Sequence, residues 1–175
     1  MFTKILFPTD GSDHANKALD LAIDMAKKYA AELVILHVPH GSENIEDLRR
    51  FAEIEGLAPH LNKEIDRLRT IDYRISAISD SAFQDTGIAS RVLIEVGHYI
   101  IDDAKSLAER NGVENVDTLV EAGDPADRIL KCIDSEKIDC VIMGSRGLND
   151  LKGLFLGSVS HKVANRAPCT CITVK

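Results

Sequence analysis

Residues 33–38 form the feature that most constrains the fold, because this run, LVILHV, is apolar at all but one position. A strand with one face in solvent alternates apolar and polar residues along its length. A continuous apolar run is instead typical of a parallel strand that helices cover on both faces. The run therefore favours an α/β fold built on a parallel sheet.

Four further segments have strand-like composition, and segments with helical periodicity separate them. The predicted strands are residues 2–8, 33–38, 116–120, 139–143 and 169–174, and the predicted helices are 12–30, 87–111, a segment that begins at 125, and 157–166. Strands that alternate with helices favour a parallel sheet with right-handed crossovers. The sequence therefore predicts a doubly wound, five-stranded parallel α/β sheet.

Residues 40–86 interrupt the alternation with a charged, helix-prone segment. A structureless loop of this length is uncommon inside a compact domain, so we expect a helical insertion after the second strand, with an extended piece near 73–78. A lid over the ligand pocket, a partner-binding surface and an inert elaboration are all compatible with it. A chain of 175 residues fits one domain, 1–175, that includes this insertion.

The acidic composition limits the classes of partner. The chain carries a formal net charge of −7, whereas a general binder of nucleic acid or anionic membranes needs a basic face. No run approaches the roughly 20 apolar residues that span a bilayer, and no signal-peptide pattern is visible. We therefore expect a cytoplasmic protein with no nucleic-acid partner and no membrane insertion.

The four cysteines are Cys132, Cys140, Cys169 and Cys171, and they form neither a C-x-x-C pair nor a zinc spacing. Cys169 and Cys171 lie two apart on a predicted strand, so their side chains share a face. Metal or redox use is one interpretation. Small buried apolar residues are the favoured interpretation, because disulfides are rare in cytosolic proteins.

Residues 143–160, MGSRGLNDLKGLFLGSVS, carry the main functional signal. Gly144 and Gly147 follow a predicted buried strand, and nine residues later Gly157 and Ser158 begin a helix. Glycine allows a ligand to approach the backbone closely, and the first turn of a helix offers unpaired N–H groups and a positive dipole end to an anion. The pattern favours a nucleotide whose ribose and phosphates contact these glycines, with Val159 also near the phosphates.

Ordinary turn chemistry offers a second interpretation of the same segment, because glycines after a strand and a serine N-cap punctuate many α/β units. Two other phosphate motifs are absent. The chain has no G-x-x-x-x-G-K-[ST] and no G-x-G-x-x-G after its first strand, which argues against a P-loop protein and a dinucleotide-binding Rossmann domain. Local positive charge comes from Arg146 and Lys152 in the loop.

The predicted topology says where a ligand would bind. In doubly wound sheets, ligands lie at the carboxyl ends of the strands, where the strand order reverses. This rule predicts that three segments converge: residues 8–10, Val38 and the loop that begins at Gly144.

With these residues in place, the chain resembles the universal stress protein family. The family pattern of two glycines three apart, nine residues, then glycine and serine or threonine matches at Gly144, Gly147, Gly157 and Ser158. The opening FPTDGS, the LHV that ends the second strand and the proline before the last strand match as well. The resemblance covers the chain apart from residues 40–86. It implies an adenine nucleotide alpha-hydrolase-like fold and the family's ATP-binding subgroup.

The resemblance also implies a binding site for ATP and Mg²⁺, in which Asp10 lies near the ribose or holds the metal against the phosphates. By resemblance Val38 and Thr9 lie near adenine, with Pro8 beside them. The implied site residues are Pro8, Thr9, Asp10, Val38, Met143, Gly144, Arg146, Gly147, Gly157, Ser158, Val159 and Ser160.

Several of these residues have simpler alternative roles. Asp10 precedes a glycine and is also a candidate cap of the first helix. Arg146 is also a candidate for a solvated loop charge, and Ser158 for a plain N-cap. His37 and His40 lack the H-x-G-H pattern of adenylyltransferases, so we expect structural or surface histidines.

Catalysis needs a positioned base or nucleophile, and the predicted pocket offers only Asp10, Ser158 and Ser160. We therefore expect no catalytic residues and a nucleotide-dependent stress-response switch with slow or no ATP hydrolysis, recognised by a regulatory protein of unknown identity. A genuine ATPase or nucleotide-dependent transferase is one alternative, and a flavoprotein-type electron carrier is another.

The last strand, 170–174, is apolar, and no helix follows it in the sequence. An uncovered apolar edge invites pairing with another edge, and a two-fold axis makes such a contact self-complementary. We therefore expect a homodimer through the C-terminal strand, and the family resemblance implies the same.

Overall fold

The computed structural model describes residues 1–39, 63, 67, 85–147 and 156–175, and it contains every strand and helix that the sequence predicts outside the insertion. The strands are β1 (Lys4–Thr9), β2 (Glu32–His37), β3 (Val116–Val120), β4 (Cys140–Gly144) and β5 (Thr170–Val174). The helices are α1 (Asp13–Tyr29), α2 (Asp85–Arg110), α3 (Pro125–Glu136) and α4 (Ser158–Arg166).

The five strands form one parallel sheet with the order β3-β2-β1-β4-β5. The chain moves outward from β1 through β2 to β3, then returns across the sheet to β4 and continues to β5. The order therefore reverses between β1 and β4, which makes their carboxyl ends the switch point of the sheet. The predicted doubly wound, five-stranded fold is confirmed.

Helices cover both faces of the sheet, which explains the continuous apolar run in β2. Leu33 and Ile35 pack on one face with α1 and α2, while Val34 and Leu36 pack on the other with α3. All four side chains are at most 1% exposed. Complete burial of an aliphatic side chain contributes about 1.5–3 kcal/mol, so both faces stabilise the sheet.

The first helix begins and ends at recognisable caps. The Ser12 hydroxyl accepts a hydrogen bond from the Ala15 amide at 3.3 Å, which makes Ser12 the N-cap. The helix ends at Ala30, whose φ of 52° is left-handed. Its buried residues recur at helical spacing and comprise Ala15, Ala18, Leu19, Ala22, Ile23 and Ala26, while Tyr29 is only half-buried.

Most boundaries differ by one or two residues from those predicted, including the starts of β1, α2 and α4. The first strand begins at Lys4 rather than at residue 2, because the Thr3 amide and hydroxyl both donate to the Asp139 carboxylate at 2.7 Å. Helix α2 begins at Asp85 rather than at residue 87. The last helix begins at Ser158, with Gly157 as its N-cap, so the prediction of Ser158 as the N-cap is wrong.

The predicted insertion, 40–86, lies outside the described residues except for Lys63 and Arg67, which are helical, and the first two residues of α2. Among the helices that the structure describes, none has both the length and the apolar composition needed to cross a membrane.

Candidate functional site

A cavity of about 240 Å³ lies at the carboxyl ends of β1, β2 and β4. The three segments that were expected to converge all contribute to its wall, which confirms that part of the prediction. All of the implied site residues line it, namely Pro8, Thr9, Asp10, Val38, Met143, Gly144, Arg146, Gly147, Gly157, Ser158, Val159 and Ser160. The carboxyl ends of parallel strands share one edge of the sheet, so the topology alone brings these distant segments together.

The cavity also has apolar walls that the sequence interpretation did not assign to a site. Helix α2 contributes Leu93, Val96 and Ile100, and helix α3 contributes Ile129. The three α2 residues follow the 3–4 spacing of a core-facing stripe. Nothing in that spacing distinguishes the part that covers the sheet from the part that borders the cavity.

The start of α4 supplies one polar end of the cavity. Gly157 has φ −73° and ψ 166°, and no side chain caps the helix at this position. The Gly157 amide donates to the Ser145 carbonyl at 2.8 Å, which anchors the turn on the end of β4. A helix start without a side-chain cap presents its first amides and its positive dipole end to an anion.

The two serines at this turn have different surroundings. The Ser158 side chain is exposed and lines the cavity. The Ser160 side chain is buried, and its hydroxyl donates to the Ser145 carbonyl at 2.7 Å and approaches the Gly157 carbonyl at 3.0 Å. The Ser160 hydroxyl therefore fixes the protein's own backbone.

Gly144 is required by packing inside the protein. A Cβ at this position would lie 3.0 Å from both the His14 carbonyl carbon and the Ala15 amide nitrogen. These are backbone atoms at the start of α1, so they cannot move aside as a flexible side chain can. Close approach of β4 to α1 is therefore a sufficient reason for this glycine.

Gly147 lies beside Asp10. A Cβ on Gly147 would come 2.6 Å from Asp10 Oδ2, while Asp10 Oδ1 accepts a hydrogen bond from the Ser12 amide at 3.1 Å. Asp10 therefore stabilises the turn before α1, and its interpretation as the cap of that helix is wrong, because Ser12 is the N-cap. The Asp10 side chain also lines the cavity, so the turn fixes a carboxylate at the ligand-facing edge.

Arg146 is half-buried and lies against the start of α1. Its Nη2 is 3.1 Å from His14 Nε2. Arginine has no acceptor, so the His14 nitrogen accepts this bond and holds the guanidinium at the cavity wall. The interpretation of Arg146 as a freely solvated charge is therefore wrong. No local sequence pattern indicates this contact, because the two residues lie 132 positions apart.

His37 was expected to be either a structural or a surface histidine, and it is buried and bonded to the backbone. Its Nδ1 lies 2.9 Å from the Thr9 carbonyl oxygen, and the side chain lines the cavity. Burial lowers the pKa of His37, with the hydrogen bond to Thr9 acting in the opposite direction. His40 lies outside the described residues.

The cysteines pack as apolar residues. Cys132 and Cys140 are buried, and burial raises the pKa of their thiols to about 11 and about 12. Cys169 and Cys171 are half-buried against the same side of the sheet. Across residues 1–39, 85–147 and 156–175, no cluster of three or more histidine, cysteine or carboxylate side chains could hold a metal ion.

Comparison with known proteins identifies the family. The sequence matches the universal stress protein family over residues 1–175. The chain belongs to this family. It is 33% identical over 175 residues to the universal stress protein YxiE of Bacillus subtilis, with 100% of both chains covered.

Solved structures of the family share the fold. Universal stress protein UspA from Lactobacillus plantarum superposes with a TM-score of 0.67 at 21% identity, covering 99% of this chain and 98% of that one. A universal stress protein in complex with cAMP gives 0.60 at 22% identity, covering 99% and 97%. An Arabidopsis thaliana family member with AMP bound gives 0.56 at 16% identity, covering 99% and 91%.

Proposed function

We propose that the cavity binds an adenine nucleotide, ATP, and that the protein is a nucleotide-dependent switch in the stress response with slow or no hydrolysis. The observation that carries the proposal is the α4 start, where Gly157 faces a cavity at the switch point of the sheet without a side-chain cap. The cAMP and AMP complexes of two structural neighbours support an adenine nucleotide as the ligand class.

The phosphates belong at the α4 end in this proposal. Gly157, Ser158 and Val159 form the first turn, and Arg146 adds a cation that His14 orients. The conformation of Gly157 is open to any residue, so backbone strain does not explain the glycine there. Close approach of a phosphate would explain it, because any Cβ would enter the space that the ligand needs.

The base belongs at the apolar end of the cavity. The apolar residues that line the cavity include Pro8, Val38, Val96 and Ile129. Such walls suit the flat faces of a purine, while backbone groups after β2 can satisfy its polar edge.

Asp10 is the proposed holder of Mg²⁺. Magnesium at nucleotides commonly takes one or two carboxylates, the phosphate oxygens and several waters, so a full set of protein ligands is unnecessary. A single carboxylate fixed at the cavity edge fits that donor set. Bound Mg²⁺ would reduce the negative charge of the phosphates and so strengthen nucleotide binding.

A switch is favoured over an efficient enzyme by the polar groups in the described wall. The His37 Nδ1 is hydrogen-bonded to Thr9, and Ser160 is bonded to the backbone. The described lining residues therefore show no histidine hydrogen-bonded to a serine, the pairing that activates a nucleophile. Positioning alone supports slow phosphoryl transfer.

The assembly proposed for this switch is a cytoplasmic homodimer. Strand β5 is an edge of the described sheet, and its residues 171–174 are half-buried in the single chain. Pairing with a second β5 would satisfy edge N–H and C=O groups and cover these side chains. A regulatory partner would then distinguish the nucleotide-bound and empty states by different affinity.

One experiment tests the ligand directly. Freshly purified protein is denatured, and the released small molecules are identified by mass spectrometry. Stripped protein is then titrated with ATP and Mg²⁺ by calorimetry, and phosphate release is followed. We expect released adenine nucleotide, measurable ATP affinity and fewer than about one turnover per minute. Absence of ATP affinity would contradict the proposal, sustained fast turnover would favour an ATPase, and released flavin would favour an electron carrier.

A further inference from the structure

His37 is a polar group in an apolar part of the cavity. It ends β2, is 6% exposed, and borders the cavity near Pro39 and the α2 residues Val96 and Ile100. The side chains of Pro39, Val96 and Ile100 have no hydrogen-bonding groups, whereas Asp10 and His98 act on His37 through their charges. Beside these apolar side chains, the imidazole ring offers a side-chain group that can hydrogen-bond to a base.

The tautomer of His37 follows from its partner. The Thr9 carbonyl only accepts hydrogen bonds, so the Nδ1 that lies 2.9 Å from it carries the proton. In the neutral ring the other nitrogen, Nε2, is then an acceptor. Burial lowers the pKa of His37 and so favours this neutral form at neutral pH.

The acceptor is available to a ligand. Within the described residues His37 Nε2 has no hydrogen-bond partner. The Ser145 hydroxyl also has none, but it is fully buried, whereas Nε2 is not. Because His37 lines the cavity, the cavity is the route by which Nε2 can be reached.

Gly97 fixes the orientation of the ring. A Cβ on Gly97 would lie 2.6 Å from His37 Cδ2 and 3.2 Å from Nε2, so the α2 backbone lies directly against this edge of the imidazole. Glycine inside a helix is less favourable than alanine by about 1 kcal/mol. Its presence here leaves room for the ring in the position that the Thr9 bond requires.

We propose that His37 selects the base of the nucleotide: Nε2 accepts a hydrogen bond from an exocyclic amino group and so favours amino-purines over oxo-purines, with Gly97 as a positioning residue. The proposal deepens the proposed function and rests on it. An oxo group at the same place would set one acceptor against another and leave both without a donor. Sites that hydrogen-bond a ligand group discriminate strongly against analogues that cannot supply it.

The test uses ATP and inosine triphosphate, in which an exocyclic amino group is replaced by an oxo group and the adjacent N1 gains a proton. Calorimetry on wild-type protein should give at least about tenfold tighter binding of ATP, the value of roughly one hydrogen bond to a buried group. His37→Phe keeps an aromatic ring but removes the acceptor, and Gly97→Ala displaces the ring. In both variants the ratio of the two dissociation constants, inosine triphosphate to ATP, should fall toward one. The affinity for ATP should weaken, while the affinity for inosine triphosphate should stay within about twofold of the wild-type value.

A neighbouring exposed histidine provides the control. His98→Phe changes an exposed α2 residue next to Gly97 and should keep the wild-type ratio. Circular dichroism shows whether each variant folds. If His37→Phe does not fold, the nucleotide preference of Gly97→Ala tests the proposal, because that variant retains the histidine.

The outcomes separate the two proposals. Wild-type protein that binds both nucleotides equally would overturn base selection and leave nucleotide binding intact. If both His37→Phe and Gly97→Ala keep the wild-type preference for ATP, another group, such as the backbone at Val38, selects the base. That result would overturn the role of His37. Binding of neither nucleotide by wild-type protein would overturn the proposed function and this inference with it.

Discussion

The Ser160 hydroxyl donates a 2.7 Å hydrogen bond to the Ser145 carbonyl, which fixes the first turn of α4 on the end of β4. The Gly157 amide donates to the same carbonyl at 2.8 Å, and the Ser145 amide donates to the Val174 carbonyl at 2.6 Å. One residue thus joins the proposed phosphate-binding turn to the edge strand. The geometry of that turn therefore depends on Ser145, which is not among the described residues that line the cavity.

Ser160→Ala should lower the free energy of unfolding by about 1–2 kcal/mol, because it removes a buried donor from the Ser145 carbonyl. Urea denaturation followed by circular dichroism measures the change. Ser135→Ala, an exposed helix residue with a 3.4 Å bond to Cys132, is the control and should change stability by less than about 0.5 kcal/mol. Equal effects of the two substitutions would contradict the anchoring role.

Ser145→Ala should behave in the opposite way. The Ser145 hydroxyl is buried and has no hydrogen-bond partner among the described residues. Its removal should leave the free energy of unfolding unchanged or raise it by up to about 1 kcal/mol. A loss greater than about 1 kcal/mol in the same urea experiment would show that the hydroxyl is bonded in solution.

Gly157→Val should abolish ATP binding while leaving the far-UV spectrum intact, because the branched side chain would occupy the space proposed for the phosphate. Calorimetry measures the binding. Ala164→Val places the same side chain at an exposed site on the same helix and should keep wild-type affinity. An unchanged dissociation constant for Gly157→Val would refute the phosphate placement.

Asp10→Asn should reduce the dependence of ATP affinity on Mg²⁺. The amide oxygen can still accept from the Ser12 amide, so the turn is kept while the charge is removed. We expect affinity in Mg²⁺ to fall about tenfold and affinity in EDTA to stay constant or rise, because repulsion of the phosphates is relieved. Asp13→Asn, an exposed residue in the first turn of α1, is the control. Full Mg²⁺ dependence in Asp10→Asn would exclude Asp10 as the metal holder.

Acidification should destabilise the fold through His37. Because burial lowers its folded-state pKa below 6.5, the unfolded chain takes up the proton first as the pH falls. The stability from the neutral ring is therefore complete above about pH 6.5 and is lost below it, towards the folded-state pKa. The urea midpoint should fall on acidification, less steeply for His37→Phe than for the wild-type protein, in which Asp10 and His98 also act on the pKa of His37. Equal slopes in the wild-type protein and His37→Phe would contradict this assignment.

Much of the fold could be predicted from the sequence because its determinants are local. The apolar run in β2, the stripe of α1 and the glycine spacing after β4 identified the layers and the edge where the cavity lies. The rule that ligands meet the carboxyl ends of parallel strands then placed residues 8–10 beside Val38. These features repeat within a few residues, so periodicity and turn chemistry are sufficient to detect them.

Other features were decided by tertiary structure, because they depend on contacts between distant residues. A side chain at position 144 would collide with the start of α1, and one at position 97 would collide with His37, so both positions need glycine. Arg146 is oriented by a histidine 132 positions away. By itself the sequence determined which elements form and at which edge a ligand can enter. Only the packing of those elements decided which glycine serves the core and which polar atom faces the cavity, since neither distance nor direction across the sheet is encoded in local periodicity.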